Sequence, residues 1–382
     1  MRSSRARDSL AAAQSRALGG RHDRASVDLL VVSLGTTPGL RASDHRMVRA
    51  IAESGRTVAA VRVRVGALAA LRRFYPVTDL IEAAAARRAL LAALRHWRPR
   101  AVVFSTTTAA LCAPPLGRPY AIWFDSPARL NRPGRRNALQ HALERRRFAA
   151  ARLLLPASRA ALAAVADAPA PAELLPLPLE LPAAPPTAPP AGARRQVRAV
   201  AYVPDPRAKG LDVLVRAWTL FAAARRARPA PLLEIFGLTR DRAARWLERR
   251  RLQLPATVWV RGAVSEPVFR ERLATADVFV HAARWEDFGR APLEALALGV
   301  PLATTPAGGP YPARDIVAAI APDLLAASVD PPALAAAIER ALAYSHAERT
   351  GLAEAARPHL ESFSWPRFAA VVRDRVVPAL LA

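Results

Sequence analysis

Short apolar runs recur along the chain, each followed by turn residues and then by a stretch with helical spacing. That alternation predicts parallel α/β units. Val27 to Leu34 reads as a buried strand, followed by the loop Gly35-Thr36-Thr37-Pro38-Gly39 and a helix from about Ser43 to Glu53, ending before Gly55. Val58 to Val63, Ala101 to Ser105, Tyr120 to Phe124 and Arg152 to Leu155 read as further strands, with a long helix around Ala83 to His96. The stretch APAPAELLPLPLELPAAPPTAPPAG (168–192) breaks the pattern. Proline at that density excludes a helix or a central strand, so an extended connector is expected there. A second alternating series starts at Val197, with strands expected at 231–236, 257–260, 277–281 and 300–304 and a last helix from about Trp365. No internal sequence repeat is visible, so the two halves are alike only in architecture.

A length of 382 residues suits two domains rather than one core. The expected division is 1–25 as a disordered Arg- and Ser-rich extension, 26–178 as the first domain, 179–196 as the linker, 197–363 as the second domain and 364–382 as a terminal helix. Residues 1–25 lack the apolar centre of a secretory signal. The one cysteine, Cys112, permits no internal disulfide and fits a reducing compartment; after Leu111 it is expected to be a buried thiol. No apolar run is long enough for a transmembrane helix.

The net charge of +25 is unevenly spread: residues 1–175 hold 29 Arg against 11 acidic residues, +18, which leaves +7 for residues 176–382. The densest stretch, 129–152, has eight Arg against Glu144 alone, and much of it should be helical after Pro133-Gly134. An anionic acceptor, an anionic membrane surface or a plain solvated face all fit such a run. Nucleic acid is not expected as a partner: no recognition motif is present, and the 6% of aromatic residues do not interleave the arginines.

The chemistry concentrates in WEDFGRAPLEALALGVPLATTPAGGP (285–310). Glu286 lies on an expected loop after the 277–281 strand, and Glu294, eight positions on, lies in the first turns of a helix that starts near Arg290. Gly289 lets the backbone approach a ligand closely, and the free N–H groups of a helix start favour an anion. Two such carboxylates can hydrogen-bond two hydroxyl-bearing parts of one ligand. A second signal is compositional. Of the 56 basic residues, 55 are Arg, and the one Lys is Lys209 in PDPRAKGLDVLVRAW. A lone lysine in so Arg-biased a chain suggests a site that wants a compact charge rather than a planar fork. It falls between a strand and a helix start, where a phosphate can be cradled.

These segments resemble the Glu-x7-Glu and Lys-Gly motifs of the family 4 glycosyltransferases, and the likeness runs from about residue 27 to the C-terminus. The resemblance implies an α/β protein of GT-B architecture, with two Rossmann-like domains facing each other across a cleft and a C-terminal helix crossing back to the first. It implies a retaining, hexosyltransferase-type enzyme that moves a sugar from a nucleotide sugar to an acceptor. Glu286 would then contact the donor sugar, Glu294 the ribose and Lys209 the diphosphate, with Phe288, Gly289 and Gly39 also facing the diphosphate and Gly237 and Gly262 in the loops around the base. Two departures stand out. The family's Gly-Arg before the lysine is replaced by Tyr202, Val203 and Pro204, so Arg207 becomes the candidate second cation. The family's sugar-contacting histidine is replaced by Ser105-Thr106-Thr107-Thr108, where a hydroxyl takes the role or the contact is absent. Asp125, after an apolar strand, and His45 are the acceptor-side candidates. No metal or other cofactor is expected, and the expected location is cytoplasmic, with peripheral contact to an anionic membrane. Two alternatives stay open: a GT-B nucleotide-sugar protein without transfer activity, and a basic binding module.

Overall fold

The computed structural model describes residues 24–36, 38–65, 75–182, 196–225 and 230–382. The extension expected at 1–25 lies outside them except for its last two residues, and Ala25 already opens the first strand. Of the linker expected at 179–196, residues 183–195 lie outside them as well.

Two five-stranded parallel sheets form two Rossmann-like domains. The first holds β1 (Ala25–Ser33), β2 (Val58–Arg62), β3 (Trp97–Phe104), β4 (Tyr120–Phe124) and β5 (Leu153–Pro156) in the order β2-β1-β3-β4-β5. The second holds β6 (Arg198–Tyr202), β7 (Leu232–Phe236), β8 (Val258–Gly262), β9 (Val278–His281) and β10 (Leu302–Thr304) in the order β10-β9-β6-β7-β8. The helices that matter below are α1 (Pro38–Glu53), α2 (Tyr75–His96), α3 (Ala138–Ala149), α4 (Leu211–Ala224), α5 (Glu266–Ala274), α6 (Arg290–Ala297) and α7 (Trp365–Val371).

Both faces of the first sheet are covered, which is why its strands read as continuous apolar runs rather than alternating ones. Leu30 and Val32 face a core that includes Ala86 and Leu90 of α2, whereas Leu29 and Val31 face Met47 and Ile51 of α1. That second core also takes in Phe368, Val371, Val372, Val376, Val377 and Leu380. The last helical segments of the chain therefore pack on the first domain, where the Phe368 ring meets Trp123 at 5.5 Å.

Five sequence expectations need correction. The first helix begins at Pro38, not near Ser43, because proline's fixed φ suits a helix start. Gly39 therefore lies inside α1, and the turn after β1 is made by Gly35 at φ +56°. The long helix begins at Tyr75 and β3 at Trp97, the latter because Trp97, Arg98 and Pro99 extend the ladder opposite Ala25, Ser26 and Val27. Cys112 is half-buried rather than buried, since it caps the end of the short helix Thr107–Leu111 at the protein surface.

Phe368→Ala, which removes a ring only 1% exposed, should destabilise the first domain by about 3–5 kcal/mol. Denaturant unfolding followed by the fluorescence of its neighbour Trp123 measures this. An unchanged midpoint would show that the terminal segments do not support that sheet.

Candidate active site

In an open parallel sheet, ligands bind beyond the carboxyl ends of the strands where the strand order reverses. In the second sheet that point lies between β6 and β9. The loop after β6 carries Lys209 and the loop after β9 carries Glu286, so the topology alone brings the two motifs together. Lys209 Nζ lies 2.5 Å from Glu286 Oε2. The two loops are also tied directly: the Arg284 N–H donates to Ala208 O at 2.9 Å, and the Arg284 guanidinium forks onto Asp212 at 2.8 and 2.7 Å. Asp205 holds the turn before the lysine by accepting from the N–H groups of Arg207 and Ala208 at 2.9 and 2.7 Å.

Glu286 is 7% exposed and ionised. Burial pushes its pKa up, but the Lys209 charge and His281 together outweigh that and hold it at about 2. His281 ends β9, with Nε2 3.0 Å from the same carboxylate oxygen. Its pKa is lowered, chiefly by burial, so the ring is neutral at neutral pH. The Glu286 backbone is fixed by the double glycine: its N–H donates to Gly308 O at 2.9 Å, and a Cβ on Gly309 would overlap Glu286 O. Gly289, at φ +76°, is the N-cap of α6. A Cβ there would stand 2.7 Å from the Tyr311 ring and 3.0 Å from Glu286 Cγ, so only glycine lets the helix start lie against the carboxylate. Phe288 contributes backbone alone, since its buried ring packs on Phe363 at 5.7 Å.

Glu294 is buried on α6 and bonded to Arg290 Nε at 2.8 Å. Burial raises its pKa and Arg290 counters. Arg290 also donates to Glu266 at the start of α5, and the same Glu266 oxygen accepts from Arg46 Nη2 of α1 at 2.8 Å. An ionic chain Arg46–Glu266–Arg290–Glu294 thus runs from one domain to the other.

Asp125, after β4, faces this site from the first domain. Burial, then the charges of Asp287 and Glu286, raise its carboxyl to about 7. Asp287 is itself raised by burial, although Trp285 Nε1 donates to it at 2.9 Å.

The remaining candidates are placed as follows. Gly237 and Gly262 meet at the ends of β7 and β8, where the Gly237 N–H donates to Gly262 O at 2.9 Å. Arg207 is exposed, and no contact brings its guanidinium to Glu286. His45 is exposed on α1, whereas its neighbour Arg46 is the residue that reaches across the cleft. Gly39 is exposed within α1. The hydroxyl run is largely engaged internally. Ser105 Oγ accepts from the Leu34 N–H at 3.3 Å and bonds Asp44, Thr106 caps the helix behind it, and Thr107 bonds Glu144.

Sequence reasoning missed His281, Asp287, Arg290, Arg46 and Glu266. A polar residue ending an otherwise apolar strand could have marked His281. The cross-domain partners of Arg46 had no sequence signal.

Residues 194–344 match the family model described as glycosyl transferases group 1. This stretch contains Lys209, Glu286 and Glu294. No curated protein sequence matches the chain. Among solved structures, sucrose-phosphate synthase from Thermosynechococcus elongatus is similar at 18% identity and TM-score 0.65, covering 91% of this chain and 96% of its own. HepE of Anabaena, solved with UDP-glucose, is similar at 15% identity and TM-score 0.66, with coverages of 92% and 100%. WaaG, a glycosyltransferase involved in lipopolysaccharide biosynthesis, is similar at 18% identity and TM-score 0.64, with coverages of 91% and 100%. The likeness establishes the GT-B fold over nearly the whole chain.

The raised Asp125 carboxyl has a stability signature. A group whose folded pKa of about 7 stands above its ordinary 3.8 stabilises fully below the lower value, and the contribution is lost as pH rises through the higher one. Asp125→Asn should therefore remove a fall in melting temperature between about pH 4 and 7, and should leave the variant the more stable form above that range. Thermal unfolding across a pH series tests this, and parallel profiles for the two proteins would count against it.

Proposed function

We propose that the chain is a retaining, metal-independent glycosyltransferase that moves a hexose-type sugar from a nucleotide sugar to an acceptor. The observation that carries the reading is the part-buried Lys209–Glu286 contact, formed at the strand-order reversal and against the start of α6. Departure of a nucleoside diphosphate concentrates negative charge on the leaving phosphate and leaves positive character on the sugar carbon. The Lys209 ammonium and the free N–H groups at the start of α6 meet the first charge. The ionised Glu286 positions the sugar hydroxyls and stabilises the second. Glu294 receives the ribose hydroxyls. Neutral His281 stands beside Glu286 without cancelling its charge.

Retention follows from a front-face displacement in which the leaving phosphate takes the acceptor's proton. Asp125 lies on the opposite wall and orients the acceptor hydroxyl. That wall belongs to the more basic half of the chain, which favours an anionic acceptor or an acceptor held at an anionic membrane from the cytoplasmic side. On α3, Leu139 is 63% exposed and Arg145 and Arg146 point to solvent, a combination suited to a lipid surface. Arg147 belongs to the fold, since its Nε donates to Leu111 O at 3.2 Å. Among the described residues no helix is long and apolar enough to cross a membrane, so attachment by this helix would be peripheral and reversible.

Glu286→Gln should abolish sugar transfer at unchanged thermal stability, and Glu294→Ala should mainly weaken nucleotide binding. Lys209→Ala should cost about 2–4 kcal/mol of transition-state stabilisation, and Lys209→Arg should recover only part. Turnover of a panel of nucleotide sugars, with hydrolysis as the acceptor-free readout, measures all four. A fully active Glu286→Gln enzyme would sink the mechanism. For the surface reading, Arg145→Ser with Arg146→Ser should lower co-sedimentation with anionic vesicles and leave that with neutral vesicles unchanged, and added salt should mimic the change. No difference between the vesicle types would make α3 a solvated face.

A further inference from the structure

We propose that Arg290 is the second diphosphate-binding cation of this site, leaving Glu294 for the phosphates when the nucleotide seats. The inference rests on the donor-site reading above and deepens it by assigning a residue that separates nucleoside diphosphates from nucleosides.

The need for such a cation is electrostatic. Lys209 is already engaged with Glu286 at 2.5 Å, so the pair together presents little net positive charge to a diphosphate. Arg207 points to solvent, and Arg284 is forked onto Asp212. Tyr202 stands near the position where the related motif would have its arginine, and its phenol feels the Arg290 charge ahead of any other ionic neighbour. Arg290 therefore reaches the neighbourhood of the missing guanidinium from the opposite loop.

Its position fits the task. Arg290 is the first residue of α6, directly after Gly289, whose Cα lies against Glu286. Its backbone thus adjoins the loop that carries Glu286, and its guanidinium is bonded to Glu294, the carboxylate assigned to the ribose. In a nucleoside diphosphate, ribose and phosphate are joined by a single linkage, so one residue at this corner can serve each in turn.

The partners that hold Arg290 are also ones it can leave. Glu266 Oε1 accepts from Arg46 as well, at 2.8 Å, so that carboxylate keeps a cationic partner when Arg290 departs. Glu294 exchanges the Arg290 Nε–H for ribose hydroxyl donors, which preserves its hydrogen bonding. The phosphates then offer the guanidinium a planar, bidentate acceptor of the kind it binds best. An apolar residue at 290 could not make this exchange.

Calorimetric titration of UDP, GDP and ADP, each beside its own nucleoside, tests the inference on wild type, Arg290→Leu, Arg290→Gln and Arg290→Lys. For the diphosphate that wild type binds best, the Leu and Gln variants should lose about ten- to hundredfold in affinity, the range for one charge-assisted contact. Affinity for the matching nucleoside should be unchanged or higher, because Glu294 is free from the outset. Arg290→Lys should recover part of the loss. Equal losses for diphosphate and nucleoside would mean that Arg290 only holds Glu294 in place, and unchanged diphosphate affinity would mean that it does nothing for the phosphates; either overturns the inference alone. Should the Leu variant fail to fold, the comparison of Gln with Lys decides in the same way. A wild-type protein that binds none of the three diphosphates removes the donor-site reading, and this inference with it.

Discussion

A lysine and a glutamate taken out of water cost several kcal/mol each in lost hydration, and they persist as an ion pair only where the surrounding chain fixes their geometry. Lys209 and Glu286 meet that condition through backbone rather than through extra side chains. Their loops are bridged by the Arg284 N–H and by the Arg284–Asp212 fork. Glu286 is held from below by Gly308 and Gly309 and from the side by Gly289, so three places where a side chain would collide are left empty. Much of the second domain's loop structure is explained by keeping this one contact in register with the start of α6.

The first domain supplies a different kind of constraint. It brings a carboxyl group, Asp125, against the acidic loop of the second domain, and a guanidinium, Arg46, onto Glu266. One contact is repulsive when both sides are ionised and the other is attractive. The two sides of the cleft therefore meet through charges of opposite effect.

The fold was legible because both sheets are parallel and covered on both faces, which makes their strands long apolar runs separated by helical stretches. Lys209 and Glu286 were legible for separate reasons, compositional rarity in one case and motif spacing in the other. Their meeting followed from strand order, which the sequence does not display. Gly39 was misplaced because proline at position 38 starts the helix earlier than the apolar pattern suggests. Arg207 was named because it lies near Lys209 in sequence; in the fold it is exposed, whereas Arg290, which had no such signal, is bonded to Glu294 and Glu266. Ser105 looked available for a ligand, yet its hydroxyl is bonded to Leu34 and Asp44. That inward bonding depends on β1 and β3 being neighbours, a tertiary fact with no local signature.

The packing of Phe368, Val372, Val376 and Leu380 onto Leu29 and Val31 has a consequence for biosynthesis. Domains commonly fold in the order in which they leave the ribosome. Here the part of one face of the earliest sheet that α1 does not cover stays open until residues near 380 have been made, after the whole second domain has emerged. The domain begun first is completed last, and during translation its apolar face is exposed for the time needed to synthesise everything between. Nascent chains stalled anywhere in the second domain should thus be the aggregation-prone species, a vulnerability set by chain order rather than by the stability of the finished protein.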